Sequence, residues 1–246
     1  MPGGELSNGV SSGAAPPRIS RLGLSGLLVS FADQLSDPAN RAALALGAAV
    51  EAEAWPGVVE TAPSLASLFV RVDPEAADPA EIEIRLRTLA GARDWRAAPL
   101  PAGRRLWRVP CIFGGTAGPQ LVEAAELAGA SEAEAIAQLT AAPVRVLALG
   151  FSPGQPYMGT LPEAWDIPRQ TALTREVPVG ALVVAVRQLI LFTAPSPTGW
   201  RHVGQTGFRG FDAGRDPAIL LRPGDEVQLE AVAGPDLPAA RSEALS

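Results

Sequence analysis

Residues 150–162 read GFSPGQPYMGTLP and follow a continuous apolar run, 144–149, that predicts a buried strand. Three prolines and three glycines punctuate this stretch, with Phe151 and Tyr157 between them. Proline fixes φ and glycine allows backbone conformations closed to other residues. The pattern therefore indicates a rigid loop that presents backbone N–H groups and one phenol at a strand exit. An ordered turn that only connects two elements would have the same composition.

The composition excludes several classes of function. A formal net charge of −6 without a basic block argues against a nucleic-acid partner. All 20 basic residues are arginine, which excludes Schiff-base and P-loop lysine chemistry. Cys111 is the only cysteine and His202 the only histidine. A disulfide framework, a cysteine-based zinc site and a multi-histidine metal site are therefore excluded.

The apolar runs and the N-terminal sequence predict the location of the protein. The N-terminus lacks a charged segment followed by an apolar one, and no apolar run reaches the length of a membrane span. We therefore expect a cytoplasmic protein that does not associate with membranes.

The first 102 residues predict a tail followed by a small domain. Residues 1–17 are rich in Gly, Ser, Ala and Pro without periodicity, which is typical of disorder. Over 18–102 the order strand, helix, strand, strand, helix predicts a small α+β sandwich of the split βαβ kind. Its first helix is predicted to begin with Asp37 as the N-cap and Pro38 in the first turn.

Residues 103–233 show a different pattern. A strand at 106–113 and two short helices come first, and short strands separated by Pro/Gly turns follow. Several short strands at this spacing predict a β-barrel or sandwich. Residues 234–246 are again small and polar and predict a flexible tail. The fold class is therefore α+β, with a small α/β domain followed by a barrel domain.

A series of short motifs continues from the opening loop toward the C-terminus. These are GFxPGxPYxGxLP at 150–162, PR at 168–169, VPxG at 177–180, SPxGW at 196–200, FD at 211–212 and PGD at 223–225. In this order they resemble the family of the 5-oxoprolinase B subunit. That family is also known as allophanate hydrolase subunit 1 and includes the Kip-type sporulation-kinase inhibitors. The resemblance covers most of residues 20–232.

This resemblance implies both a fold and a function. The fold is an N-terminal α/β domain joined to a cyclophilin-like β-barrel. The function is that of a non-autonomous component, working beside a homologous carboxyltransferase-like C subunit and a barrel-type A subunit. Such a complex opens 5-oxoproline to glutamate with ATP and magnesium. Other branches of the family leave two alternatives: a non-catalytic Kip-like module that inhibits a histidine kinase, and a component of the urea carboxylase and allophanate pathway.

The chain departs from the family pattern at several polar positions. Leu139 replaces a family histidine, and Thr174 and Gln205 each replace a family arginine. Leu189 and Ile190 replace a Thr-Gly pair, and Gln155 replaces a phenylalanine. An ATP-linked or carboxyl-transfer site needs cations or aligned N–H donors to hold developing negative charge. These departures weaken such a site unless Arg169, Arg175 or Arg201 supplies the charge, so either a divergent working subunit or an altered activity is consistent with the sequence.

Four candidate residues could bind the ligand through polar groups. Tyr157 could place its hydroxyl on a bound carboxylate, or it could be a core ring bonded to the backbone. Gln188 could recognise a ligand because an amide both donates and accepts, or it could be a satisfied barrel glutamine. Arg169 and Arg175 flank the VPxG turn and could bind a carboxylate or phosphate, or they could lie on a solvated face.

The SPTGW segment and the residue beyond it supply the remaining candidates. Ser196 and Trp200 could line a pocket, or they could form a turn capped by a packed tryptophan. His202 is the sole imidazole, although a lone strand histidine is more often structural. The sequence assigns no catalytic residue and predicts no metal site.

Overall fold

A computed structural model describes residues 16–234 and 236–245 of the chain. The tail predicted for residues 1–17 therefore lies outside the described residues except for its last two. Within the described ranges, no helix combines the length and the hydropathy that crossing a membrane requires.

The N-terminal part folds as one antiparallel sheet packed against two helices. Its sheet has the strand order β1-β2-β4-β3. Apolar side chains of the strands and of both helices form one hydrophobic core, which includes Leu27, Leu46, Leu68 and Leu86. The elements are β1 Arg18–Leu22, β2 Gly26–Ser30, α1 Asp37–Glu53, β3 Val58–Ser64, β4 Ser67–Val72 and α2 Pro79–Gly91.

The start of helix α1 differs from the prediction. Ser36 is the N-cap, and its Oγ accepts a hydrogen bond from the Ala39 backbone N–H at 3.3 Å. The prediction that Asp37 caps this helix is wrong, because the Asp37 carboxylate instead pairs with Arg145 at 2.7 Å. Pro38 does lie in the first turn, as expected.

A second, larger sheet closes into a barrel. Its strand order is β12-β9-β10-β7-β6-β13-β5, and β12 pairs back onto β5, so seven strands form the closed barrel. All of these neighbours are antiparallel except β13 and β5. The elements are β5 Arg105–Phe113, α3 Leu121–Leu127, α4 Glu132–Thr140, β6 Val144–Leu149, β7 Pro156–Gly159, β8 Thr174–Val177, β9 Ala181–Ala185, β10 Gln188–Leu191, β11 Ser196–Thr198, β12 Arg201–Thr206, β13 Glu226–Ala231 and β14 Arg241–Ala244.

Strand β14 lies within the segment 234–246 that composition predicts to be a flexible tail. It pairs antiparallel with residues 105–108 of β5, while β12 pairs with residues 111–113 of the same strand. Because β12 covers only one end of β5, the backbone groups at the other end are open to another strand. The C-terminal segment satisfies them, which composition could not indicate.

Glycine at position 118 lets the loop before α3 approach the barrel closely. A Cβ on Gly118 would lie 2.0 Å from the Val203 carbonyl oxygen, so only glycine fits there. The approach allows the Gln120 backbone N–H to donate to the His202 carbonyl at 2.9 Å. The predicted α+β class with a barrel is confirmed, and the predicted domain boundary at 102/103 stays a prediction.

Candidate functional site

The barrel wall has two apolar faces because side chains alternate along its strands. Leu189 and Leu191 of β10 point into the core that all seven barrel strands share. Ile190 and Phe192 point to the other side, where they join a smaller cluster that includes Val183 of β9. This outer face is covered by the separate two-stranded sheet of β8 and β11.

A cleft of about 280 Å³ lies between this outer wall and the covering sheet. The loop at 150–155 forms one side of it, and the turn at 197–200 forms the other. Ile190 and Phe192 make its apolar floor, while Tyr157 and Arg169 add a phenol and a cation. The structure therefore places part of the opening motif and part of the SPTGW motif around one cavity.

Trp200 contacts both Tyr157 and Arg169 in the cleft. It is buried, and its ring meets the Tyr157 ring edge to face, with the ring centres 6.2 Å apart. The guanidinium carbon of Arg169 lies 5.2 Å from the centre of the Trp200 ring on the cleft side. Within residues 16–234 and 236–245, neither Arg169 nor the Tyr157 hydroxyl forms an ion pair or hydrogen bond. Both polar groups are thus available to a ligand.

A glutamine network behind Trp200 holds the loop that carries Arg169. The Gln170 backbone N–H donates to the Gly199 carbonyl at 2.7 Å, and its side-chain Nε2 donates to the Trp200 carbonyl at 3.0 Å. Gln120 Nε2 donates to Gln170 Oε1 at 2.6 Å. Because these bonds join the segment at 170 to the turn at 199–200, they position the backbone next to Arg169 beside the tryptophan.

Arg201 cannot replace the cations that the family pattern would supply. Its side chain is buried, and its Nε donates to Glu123 Oε1 at 2.9 Å. Its second donor bonds the Pro168 carbonyl at 2.6 Å, next to Arg169. Arg175 is exposed on β8 and does not line the cleft. Arg169 is therefore the cation that the structure places in the cleft wall.

His202 lies under the Gln120 loop rather than in the cleft. Its Nε2 is 3.0 Å from the Gly204 carbonyl, which can only accept, so this nitrogen carries the proton. Burial lowers the pKa of His202, and the bond to Gly204 only partly opposes this effect. The imidazole is consequently neutral at neutral pH, and its surroundings are those of a structural residue.

Gln188 and Ser196 also lie outside the cleft. Gln188 is at the start of β10, opposite Gly159 and Ala185, on the same face as Ile190 but at the far end of the strand. Ser196 pairs with Val177 inside the covering sheet. Of the seven candidates, Tyr157, Arg169 and Trp200 are brought together.

Several residues of the cleft, among them Gln155, Phe151 and Leu173, are not among the candidates that the sequence indicates. Gln155 is only 1% exposed, and its side-chain oxygen has no hydrogen-bond partner among the described residues. Phe151 and Leu173 line the mouth of the cleft and are 76% and 67% exposed. The sequence does mark Gln155 as unusual, because a glutamine there replaces the phenylalanine of the family pattern. The sequence alone does not indicate that Phe151 and Leu173 are exposed.

Comparison with known proteins identifies the family. The model of the carboxyltransferase domain, subdomain C and D, matches residues 17–221. The chain is 35% identical over 177 residues to the 5-oxoprolinase B subunit of Escherichia coli O157:H7, covering 71% of this chain and 78% of that protein. It is 28% identical over 240 residues to the 5-oxoprolinase B subunit of Bacillus subtilis (strain 168), covering 92% and 97%.

A solved structure shares the fold. The crystal structure of TTHA0988 matches with a TM-score of 0.72 and 31% identity, over 87% of this chain and 41% of that one. This chain thus spans less than half of the TTHA0988 chain. The matched family covers both the N-terminal sheet and most of the barrel. The chain therefore belongs to the carboxyltransferase domain family, as a carboxyltransferase-type protein of the 5-oxoprolinase B-subunit group.

Proposed function

We propose that this chain is a non-autonomous subunit of an ATP-dependent 5-oxoprolinase-type complex that opens 5-oxoproline to glutamate. The observation that carries the proposal is the unpaired Arg169 guanidinium, held over Trp200 in the wall of an apolar cleft. The names of its relatives in Escherichia coli and Bacillus subtilis, both B subunits of 5-oxoprolinase, supply the substrate.

The chemistry of the cleft suits a small cyclic acid. 5-Oxoproline carries one carboxylate on a five-membered lactam ring. A guanidinium binds a carboxylate through two parallel N–H donors, and Arg169 has its donors available for this. Trp200 and Phe192 provide apolar surface for the ring, and the Tyr157 hydroxyl can donate a further hydrogen bond to the carboxylate.

The same lining fits magnesium-bound triphosphate poorly. A nucleotide site holds several phosphate charges with more than one cation or with a loop of backbone N–H groups, whereas this cleft offers one guanidinium on apolar walls. We therefore place ATP and magnesium on the other members of the complex. In this proposal those members are the homologous carboxyltransferase-like C subunit and the barrel-type A subunit.

The exposed rim of the cleft supports a function within an assembly. Phe151 and Leu173 place large apolar side chains in solvent at its mouth, and such side chains are often covered by a protein partner. The same rim would also suit the alternative of a Kip-like module that docks on a histidine kinase and catalyses nothing. Arg169 favours the enzyme complex, because an exposed guanidinium without an ion-pair partner in the described residues, at the wall of a largely apolar cleft, is suited to a small anion.

The test is an assay of the assembled complex. The full chain is co-purified with the C and A subunits, and ATP hydrolysis is measured with and without 5-oxoproline. The proposal expects hydrolysis that depends on 5-oxoproline and on the presence of this chain. A verified complex without such hydrolysis would overturn it, and specific binding to a histidine kinase would then support the inhibitor. Hydrolysis dependent on urea would point to the carboxylase pathway instead.

A further inference from the structure

Gln155 has a fixed backbone and an unused side chain. Its carbonyl accepts a hydrogen bond from the Gly150 N–H at 3.0 Å, and its own N–H donates to the Ser152 carbonyl at 3.1 Å. The side chain is buried in the cleft wall, yet its oxygen has no hydrogen-bond partner in the described parts of the chain. The loop therefore fixes the backbone of Gln155 and leaves its side-chain oxygen without a partner.

Such an arrangement requires an explanation. Buried polar atoms in folded proteins are nearly always hydrogen-bonded, because an unpaired one loses its hydration without compensation. A phenylalanine would fill the same wall without that loss. Gln155 and Tyr157 are two residues apart in extended chain, so both side chains lie on the same side, toward the cleft. Together these observations indicate that the partner of Gln155 is a ligand.

The geometry points to a substrate class. We propose that Gln155 is a specificity-determining residue that binds the amide edge of a cyclic secondary amide bearing a carboxylate. This inference rests on the proposed function, since it assigns the lactam to the same cleft whose Arg169 binds the carboxylate. It extends that function by naming the residue that recognises the ring amide.

The chemical match is between two amides. A ring forces the amide of a lactam into the cis form, which places its N–H and C=O on one edge, whereas an open-chain secondary amide is trans and separates them. A glutamine carboxamide offers one donor and one acceptor side by side. Rotation about its last side-chain bond exchanges oxygen and nitrogen, so either atom can face the cleft. When the carboxamide edge faces the cleft, the two edges can form a pair of complementary hydrogen bonds.

The experiment compares two ligands that differ in one donor. In the lactone analogue of 5-oxoproline, a ring oxygen replaces the N–H, and the carboxylate and ring size are kept. Dissociation constants for both are measured by calorimetry on the full chain assembled with its partner subunits, without ATP. We expect the wild type to bind the lactam about tenfold more tightly than the lactone, the usual effect of one hydrogen bond.

The Gln155→Met variant keeps the length of the side chain and removes its polar atoms. It should bind both ligands about equally and more weakly than the wild type binds the lactone, because the bond to the ring carbonyl is lost as well. The matched control is Gln188→Met, a strand glutamine outside the cleft, which should keep the tenfold preference. The melting temperature of Gln155→Met should be unchanged or higher, because the variant removes an unpaired buried oxygen.

Three results would overturn the inference. If Gln155→Met keeps the preference for the lactam, Gln155 does not recognise the amide, while the proposed function stands. A lower melting temperature with equal loss of both ligands would make Gln155 structural. If the wild-type complex binds neither ligand, the cleft is not a binding site for this class of substrate, and the role of Gln155 is disproved with it. ATP hydrolysis with 5-oxoproline, measured in parallel on the wild type, separates failure of the residue from failure of the function.

Discussion

The guanidinium carbon of Arg169 lies 5.2 Å from the centre of the buried Trp200 ring, and the Tyr157 ring meets the same tryptophan edge to face. Stacking on an aromatic face holds a guanidinium without neutralising it and without using its N–H donors. A carboxylate in the cleft can therefore use all of them. This relationship joins the PR motif, the SPTGW motif and the loop at 150–162 in one site.

The Arg169→Lys variant tests whether binding depends on the planar arrangement of the guanidinium N–H donors. Lysine keeps the charge, but it binds as a point charge and stacks less well on tryptophan. We expect the 5-oxoproline affinity of the assembled complex to fall about fivefold to tenfold, consistent with about 1 kcal/mol for one lost hydrogen bond. Calorimetric titration measures the change. An unchanged affinity would mean that the carboxylate does not bind at Arg169.

The Gln170→Leu variant tests the network that positions Arg169. Leucine removes the bonds to the Trp200 carbonyl and to Gln120, and it leaves Gln120 short of a partner. We expect a loss of about 1–3 kcal/mol in the free energy of unfolding and weaker binding of 5-oxoproline. Denaturant titration and calorimetry give the two values. A stability loss with undiminished affinity would show that the network does not position the site.

Much of the fold could be predicted because local patterns and tertiary packing agree. Apolar residues of β9 and β10 fit a buried strand on both faces, and the Pro/Gly turns mark their ends. The cap of α1 was missed because Ser36 and Asp37 are both good capping residues. The choice between them depends on Arg145, which lies 108 residues away from Asp37 along the chain.

The site was only partly predictable. Tyr157, Arg169 and Trp200 are identifiable because a family motif marks each of them. Gln188 shares the face of Ile190, but it lies at the other end of β10 and does not line the cleft, so a role for it in binding stays a prediction. Position along a strand, like the burial of Arg201 against Glu123, depends on register and packing that one sequence does not reveal.

The Asp37–Arg145 pair predicts a pH dependence of stability. Burial raises the pKa of Asp37, but the guanidinium groups of Arg145 and Arg41 outweigh it, so the pKa lies below the ordinary value. A carboxyl with a lowered folded-state pKa stabilises the fold above its unfolded-state pKa, and this stabilisation is lost as the pH falls through the folded-state value. Asp37→Asn should therefore destabilise the protein at pH 7, and the difference from wild type should disappear in acid.

Denaturant titrations from pH 7 downward measure this difference. The control is Asp33→Asn, an exposed carboxylate whose ion pair in the described part of the chain is with exposed Arg18, and this change should affect stability little at any pH. The side chain of Asp37 is itself 51% exposed, so added salt should reduce the effect. A stability difference that persists at low pH would contradict the ion-pair explanation.

Cys111 offers a clean probe of barrel integrity because it is the only cysteine in the chain. It is fully buried, and burial raises the pKa of its thiol well above the ordinary range, so no reactive thiolate is present. We expect a disulfide reagent to label the native protein on the order of 10³-fold more slowly than the unfolded chain. Labelling rates with and without denaturant measure this ratio, and rapid labelling of native protein would place Cys111 at the surface.

The most direct test of the central claim is 5-oxoproline-dependent ATP hydrolysis by the assembled complex that carries Arg169→Ala. The matched control is Arg175→Ala, which removes an arginine of β8 that is exposed like Arg169 but does not line the cleft. Loss of the guanidinium removes charge-assisted bonds worth about 1.5–3 kcal/mol, so kcat/KM for 5-oxoproline should fall about 10-fold to 100-fold. Arg175→Ala should match the wild type. Equal activity in the wild type and Arg169→Ala complexes would contradict the account.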